Sequence, residues 1–122
     1  MNKTQIGRLG EAYAVGLLRA QNYLILDTNY QIRQGEIDII ALSEEGELVF
    51  VEVKTRTGGR FGRPEESISH HKAQRLIKTA LHFLSQSREK NYNSWRIDLV
   101  AVKLSRCFKL QSLSHHKHIF DG

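Results

Sequence analysis

A single cysteine and a single proline are all that this chain of 122 residues contains of either. The lone Cys107 excludes an intrachain disulfide and a cysteine metal cage, which fits a reducing cytoplasm. Its place between strand-like residues predicts a small, half-buried hydrophobe. Long apolar runs are missing too. None approaches the roughly 18 residues that cross a bilayer, and MNKTQIGRLGEAYA lacks the apolar stretch of a secretory signal. The expectation is a soluble, cytoplasmic protein with no membrane partner. Acid is also short: 13 Asp and Glu stand against 18 Lys and Arg, for a net charge of +5. That surplus favours an anionic partner, such as nucleic acid, over a neutral small molecule. With 40% hydrophobic residues, the chain is long enough for one domain with a real core and too short for two.

The richest stretch is Gly35 to Arg56, GEIDIIALSEEGELVFVEVKTR. Its two short apolar runs flank a turn, and charge collects at their far ends, as in a β-hairpin with chemistry at the open end. Glu44-Glu45-Gly46 suits a three-residue loop closed by glycine in the left-handed region. That loop pairs Ser43 with Glu47 and, by continuation, Asp38 with Glu52 and Glu36 with Lys54. Alternation then puts Asp38, Glu52 and Lys54 on one face, and Ile37, Ile39 and Ala41 on the other with Val49, Val51 and Val53. Opposed residues have Cβ atoms about 5 Å apart, so like charges there repel, and folding alone gives no reason to set Asp38 against Glu52. A divalent cation, Mg²⁺ or Mn²⁺, supplies one.

Elsewhere, Thr4 to Ala20 carries apolar residues at helical spacing, with Thr4 as the expected N-cap and Asn22 as a left-handed stop. Gly7 and Gly10 weaken that helix by about 1 kcal/mol each relative to alanine, a cost tolerated where backbone must approach a sheet or ligand. Glu11 borders its apolar stripe and reads as an ordinary solvated carboxylate. Tyr23 to Leu26 predicts a strand ending at the polar Asp27-Thr28-Asn29, and Tyr30 to Gln34 leads into the hairpin. TRTGGRFGRPEES is a loop, in which Arg56, Arg60 and Arg63 around Phe61 suit either phosphate contact or plain solvation. Ser69 to Ser85 predicts a second amphipathic helix, its polar side basic through Lys72, Arg75 and Lys78, which suit either contact with a phosphate backbone or plain solvation. Trp95 to Val102 reads as a buried strand and Phe108 to Leu113 as a shorter neighbour. Asp98 interrupts the former and needs a partner, Arg96 or a helix-borne cation, so that structural pairing is favoured over catalysis. His115, His116 and His118 lack the ordered spacing of a defined metal site.

The order of elements predicts an α/β domain with a mixed central sheet and helices on its faces. A carboxylate in the first helix, then G-E-I-D, then V-E-V-K, resembles the PD-(D/E)xK nuclease superfamily. More narrowly, GRLGEAYA, QGEIDIIA, LVFVEVKTR, FGRPEESI, HKAQRL and RIDLVAV resemble the bacterial family called YraN-like, itself similar to archaeal Holliday junction resolvases. The resemblance implies a restriction-endonuclease-like fold and a metal-dependent DNA endonuclease acting on branched or damaged DNA, with a homodimer expected by analogy to the resolvases. It implies that Asp38 and Glu52, helped by the Val53 carbonyl, hold Mg²⁺ or Mn²⁺. Glu11 would be the third acid, Lys54 the catalytic lysine and Gln74 a supporting glutamine. The rival expectation is a noncatalytic DNA-binding or scaffolding protein that retains a nuclease fold.

Overall fold

A computed structural model describes residues 1–58, 68–87, 92 and 94–120. Among them the element order is α1 (Lys3–Ala20), β1 (Leu24–Ile32), β2 (Gly35–Leu42), β3 (Glu47–Thr57), α2 (His70–Gln86), β4 (Ser94–Leu104) and β5 (Leu110–His116). The strands form one sheet in the order β1-β2-β3-β4-β5. Neighbours run antiparallel except β3 and β4, which are parallel and are connected through α2. This is the expected mixed α/β architecture, consistent with a restriction-endonuclease-like fold.

The cap of α1 is Asn2 rather than Thr4. Its side chain accepts from the Gln5 N–H at 2.8 Å while the Gln5 side chain accepts from the Asn2 N–H at 2.9 Å. Only from Asn2 does the third helical residue offer a reciprocating glutamine, so the capping box decides the start. At the other end Asn22 adopts φ 67°, as expected. Tyr23 N–H bonds the Leu18 carbonyl and Asn22 N–H that of Arg19, which completes a Schellman close. Strand β1 is longer than the sequence suggested and runs straight through Asp27-Thr28-Asn29. A register shift between Ile25 and Asp27 and a left-handed Asn29 absorb the polar residues on a sheet edge, where solvent takes one side.

The predicted hairpin loop is present: Gly46 has φ 89°, Ser43 N–H bonds the Glu47 carbonyl at 2.8 Å, and the register places Ile39 against Val51, Ile40 against Phe50 and Ala41 against Val49. Both faces of the sheet are covered. On the α1 side, Ala14 and Leu18 pack on Ile39, Ala41, Val51 and Val100. On the α2 side, Leu76 and Ala80 pack on Ile40, Leu48 and Phe50, whose ring meets Phe83 and Trp95 edge-on at 5.8 Å each. Each such buried aliphatic or aromatic side chain contributes about 1.5–3 kcal/mol.

Ile37 departs from the expected alternation and joins the α2-side cluster instead of Ile39 and Ala41. The pleat therefore slips at Asp38. Cys107 is exposed rather than half-buried, in the turn between β4 and β5, where Phe108 takes φ 64° and delays the start of β5 to Leu110.

Helix α1 approaches the sheet closely at Gly10, where an added Cβ would lie 1.8 Å from the Thr55 hydroxyl oxygen, whereas nothing lies within 4 Å of one at Gly7. Gly10→Ala is therefore expected to lower stability by about 1–3 kcal/mol through overpacking. Gly7→Ala should raise it by up to about 1 kcal/mol through helix propensity. Urea unfolding of both variants checks this, and midpoints shifted in the same direction would contradict it.

Candidate active site

The sheet forks at Asp38 and Glu52. Beyond Ile39 and Val51 the β2–β3 pairing stops, so the expected cross-strand pairs Asp38–Glu52 and Glu36–Lys54 do not form. The first residues of β2 stay with β1, Ile37 against Tyr30 and Gly35 against Ile32, while Glu52 to Thr57 stay with β4. In a continuing ladder the next β3 donor, the Val53 N–H, would bond a β2 carbonyl. Instead it donates to the Asp38 Oδ2 at 2.8 Å. The carboxylate has taken the place of the backbone partner, at the residue where the pleat slips.

A cleft of about 600 Å³ opens in the fork. Glu11 reaches it from α1, Glu36 and Asp38 from β2, Glu52 and Lys54 from β3, and Lys72 from α2. Burial, and then the charge of Glu52, push the Asp38 carboxyl up from an ordinary 3.8 to about 7, against the lowering effect of the Val53 N–H. Burial likewise raises Glu11, with the charges of Glu36 and Glu52 adding to it and a hydrogen bond from Asn29 opposing it. Lys54 moves the other way. Burial and the neighbouring Lys72 ammonium bring it down from 10.5 to about 8.

Lys72 itself is held high. Burial lowers it, but its bond to Glu52, with Nζ 2.7 Å from Oε1, together with its contact with Lys54 and the charges of Glu52 and Asp38, outweighs that loss. Glu52 is only 6% exposed, so this ion pair sits at the bottom of the fork.

The oxygen donors Asp38, Glu52 and the Val53 carbonyl suit a hard divalent cation, which commonly takes one or two carboxylates and completes its shell with water and phosphate. Among the described residues no three His, Cys, Asp or Glu side chains are drawn together as a metal cluster. Glu11 thus lines the cleft without completing a three-carboxylate cage.

The other sequence candidates are placed as follows. Gln74 is exposed, bonds His70 at 3.1 Å and lies outside the lining of the cleft. Arg75 donates from Nε to the Gln34 carbonyl at 3.2 Å beside the cleft, and Lys78 is exposed on α2. Arg56 lines the outer cleft. Arg60 and Arg63, with Phe61, lie outside the described residues.

Sequence reasoning read Lys72 as a phosphate contact or a solvated cation and missed its pairing with Glu52. A signal was there: Lys72 is the third residue of a helix whose first turn has no acid. The helix dipole disfavours a cation at that end, so an anion from elsewhere is needed. Lys103 was also missed. It stands beside Arg56 in the parallel β3–β4 register, and the pairing was invisible before the strand order was known.

Asp98 belongs to a different, structural network. Arg96 Nε donates to both its oxygens at 2.9 and 3.2 Å, His115 Nε2 lies 2.7 Å from Oδ2, and the His118 N–H donates to Oδ1 at 3.1 Å. Arg96 continues to the Tyr23 hydroxyl at 2.6 Å and to Glu47. The expected Arg96 pairing is present, and the second side-chain partner, His115, comes from β5 rather than a helix. His115 is thereby committed to Asp98.

The chain matches the uncharacterised protein family UPF0102 over residues 10–102. It is 38% identical over 121 residues to a UPF0102 protein of Caldanaerobacter subterraneus subsp. tengcongensis, covering 98% of each chain. To one of Alkaliphilus oremlandii it is 40% identical over 122 residues, covering 98% of this chain and all of the other. To one of Moorella thermoacetica it is 44% identical over 106 residues, 87% of each.

Although burial raises the Asp98 carboxyl, its bonds from His115, Arg96 and the His118 N–H together hold it below the ordinary range. A depressed carboxyl stabilises the fold fully above its unfolded-state value and loses that contribution as pH falls through the folded-state value. Asp98→Asn should thus cost about 3–5 kcal/mol at pH 7, because Arg96 loses its buried counter-ion. The gap to wild type should narrow in strong acid. Denaturant titrations at both pH values test this, and a gap that widens on acidification would refute it.

Proposed function

The chain belongs to the uncharacterised protein family UPF0102, and from that premise we propose that it is a metal-dependent DNA endonuclease of the PD-(D/E)xK type. The observation carrying this reading is the fork itself: two carboxylates from diverging strands that share one cleft and act on each other, with Lys54 beside them. A fold optimised only for stability has no use for acids so placed.

Asp38, Glu52 and the Val53 carbonyl would hold Mg²⁺ or Mn²⁺. Such an ion supplies Lewis acidity, acidifying water and offsetting charge on the scissile phosphate. Lys54, its proton loosened by burial and by Lys72, is suited to orient the attacking water and stabilise developing negative charge. Glu11, nearer solvent, acts through a water. Arg56 lines the outer cleft and stands beside Lys103 in the β3–β4 register, where a phosphate backbone leaving the cleft would pass. The similarity to resolvases extends the proposal to branched DNA and a homodimer in the cytoplasm. Among the described residues no helix is long and apolar enough to cross a membrane.

A noncatalytic DNA-binding or scaffolding role is the second reading. The Lys72–Glu52 ion pair favours it, since the pair already neutralises one of the acids without a metal.

An assay with single strands, flaps and four-way junctions in Mg²⁺ or Mn²⁺ separates the two. Asp38→Asn, Glu52→Gln and Lys54→Met should each reduce cleavage by roughly 10²–10⁴-fold with the fold retained. Wild type and Asp38→Asn cutting equally would overturn the assignment, and tight binding of wild type without cleavage would favour the scaffold.

The binding face gives a separate expectation. If Arg56 and Lys103 touch phosphates, replacing both by alanine should flatten the dependence of log affinity on log salt by about two units. An unchanged slope would exclude them.

A further inference from the structure

We infer that Lys72 is the resident cation of the fork, occupying the Glu52 carboxylate until a divalent ion arrives and then turning to the substrate phosphate. This rests on the metal-dependent reading above and concerns a residue which that reading leaves without a part.

The inference starts from three placements. The Lys72 ammonium lies 2.7 Å from Glu52 Oε1, on a carboxylate that is 6% exposed and shares the cleft with Asp38. Lys72 is the third residue of α2, where the helix dipole opposes a positive charge and where the first turn offers no acid of its own. Its side chain is nonetheless 36% exposed and lines the cleft, so it has room to swing away from Glu52 without disturbing the core.

Competition for Glu52 gives the consequence. Lys3, Lys54, Arg56 and Lys72 all line the cleft with Glu11, Glu36, Asp38 and Glu52, and it is Lys72 that bonds Glu52. A divalent ion on Asp38 and Glu52 brings its own two charges and competes for the oxygen that Lys72 holds. Lys72, displaced from Glu52, then needs another anion, which a nucleic-acid phosphate at the cleft mouth provides. Binding of the ion and of the phosphate backbone are coupled through one side chain, each making room for the other.

The test is Mn²⁺ binding, read by the loss of the free-ion electron paramagnetic resonance signal, on the full chain, Lys72→Gln and Lys72→Arg. Melting temperatures in EDTA and in Mn²⁺ are measured alongside. Lys72→Gln should bind Mn²⁺ roughly five- to tenfold more tightly than wild type, the factor for removing a half-buried ion pair. It should also melt lower in EDTA and recover more in Mn²⁺. Lys72→Arg keeps the charge and should bind no more tightly than wild type. Equal or weaker Mn²⁺ binding by Lys72→Gln would overturn the role of Lys72 while leaving the metal site intact. No Mn²⁺ binding by any of the chains would overturn both this inference and the metal-dependent reading.

Discussion

Everything distinctive about this molecule depends on one electrostatic conflict, the placing of Asp38 in one cleft with Glu52 at the inner end of a hairpin that is otherwise apolar. A buried carboxylate pair is costly unless something compensates it. Three compensations are visible. Asp38 gives up charge readily, its carboxyl raised to about 7 by burial and by Glu52. Its Oδ2 accepts the Val53 N–H, and Lys72 neutralises Glu52 from the far side. None of these removes the conflict, which a stronger cation would relieve.

The conflict also shapes the backbone. With the Val53 N–H bonded to a side chain, the β2–β3 ladder has no partner with which to continue, and the two strands part. Each still has a neighbour, β1 for the start of β2 and β4 for the end of β3, so the parting leaves no row of orphaned backbone groups. A cleft opened between the two arms of one sheet receives side chains from both covering layers. That is how Glu11 from α1 and Lys72 from α2, on opposite faces of the sheet, come to line the same space.

Much of this was legible in the sequence because it is local. The Gly46 loop fixes the register of its own hairpin, so the opposition of residues on β2 and β3 follows from a few residues of turn chemistry. The periods of the helices and of β4 likewise report burial directly. What escaped depends on contacts between distant segments. The slip that sends Ile37 to the α2 face follows from the fork, and no alternation rule anticipates it. β1 passes through Asp27-Thr28-Asn29 because β2 pairs along its length, a tertiary effect that overrides the turn propensity of those residues. Lys72 looked like one of several cations on a solvated face until the packing of α2 brought it to Glu52.

The two cation-bearing networks separate structure from chemistry on physical grounds. Asp98 is fully buried and surrounded: Arg96, His115 and a backbone N–H use its oxygens, and its carboxyl is held below the ordinary range. Such an acid is a fixed anion, stable and unavailable. Asp38 is half-buried, carries one backbone hydrogen bond and is pushed up toward neutrality, next to a lysine pushed down toward it. Groups driven toward each other in proton affinity, in a cleft open to solvent, can exchange protons and ligands near neutral pH, which is what a reacting site requires and a structural pair does not. The asymmetry between Asp38 and Asp98, two aspartates on strands of one sheet, is therefore a stronger argument for chemistry in the fork than the number of charges there.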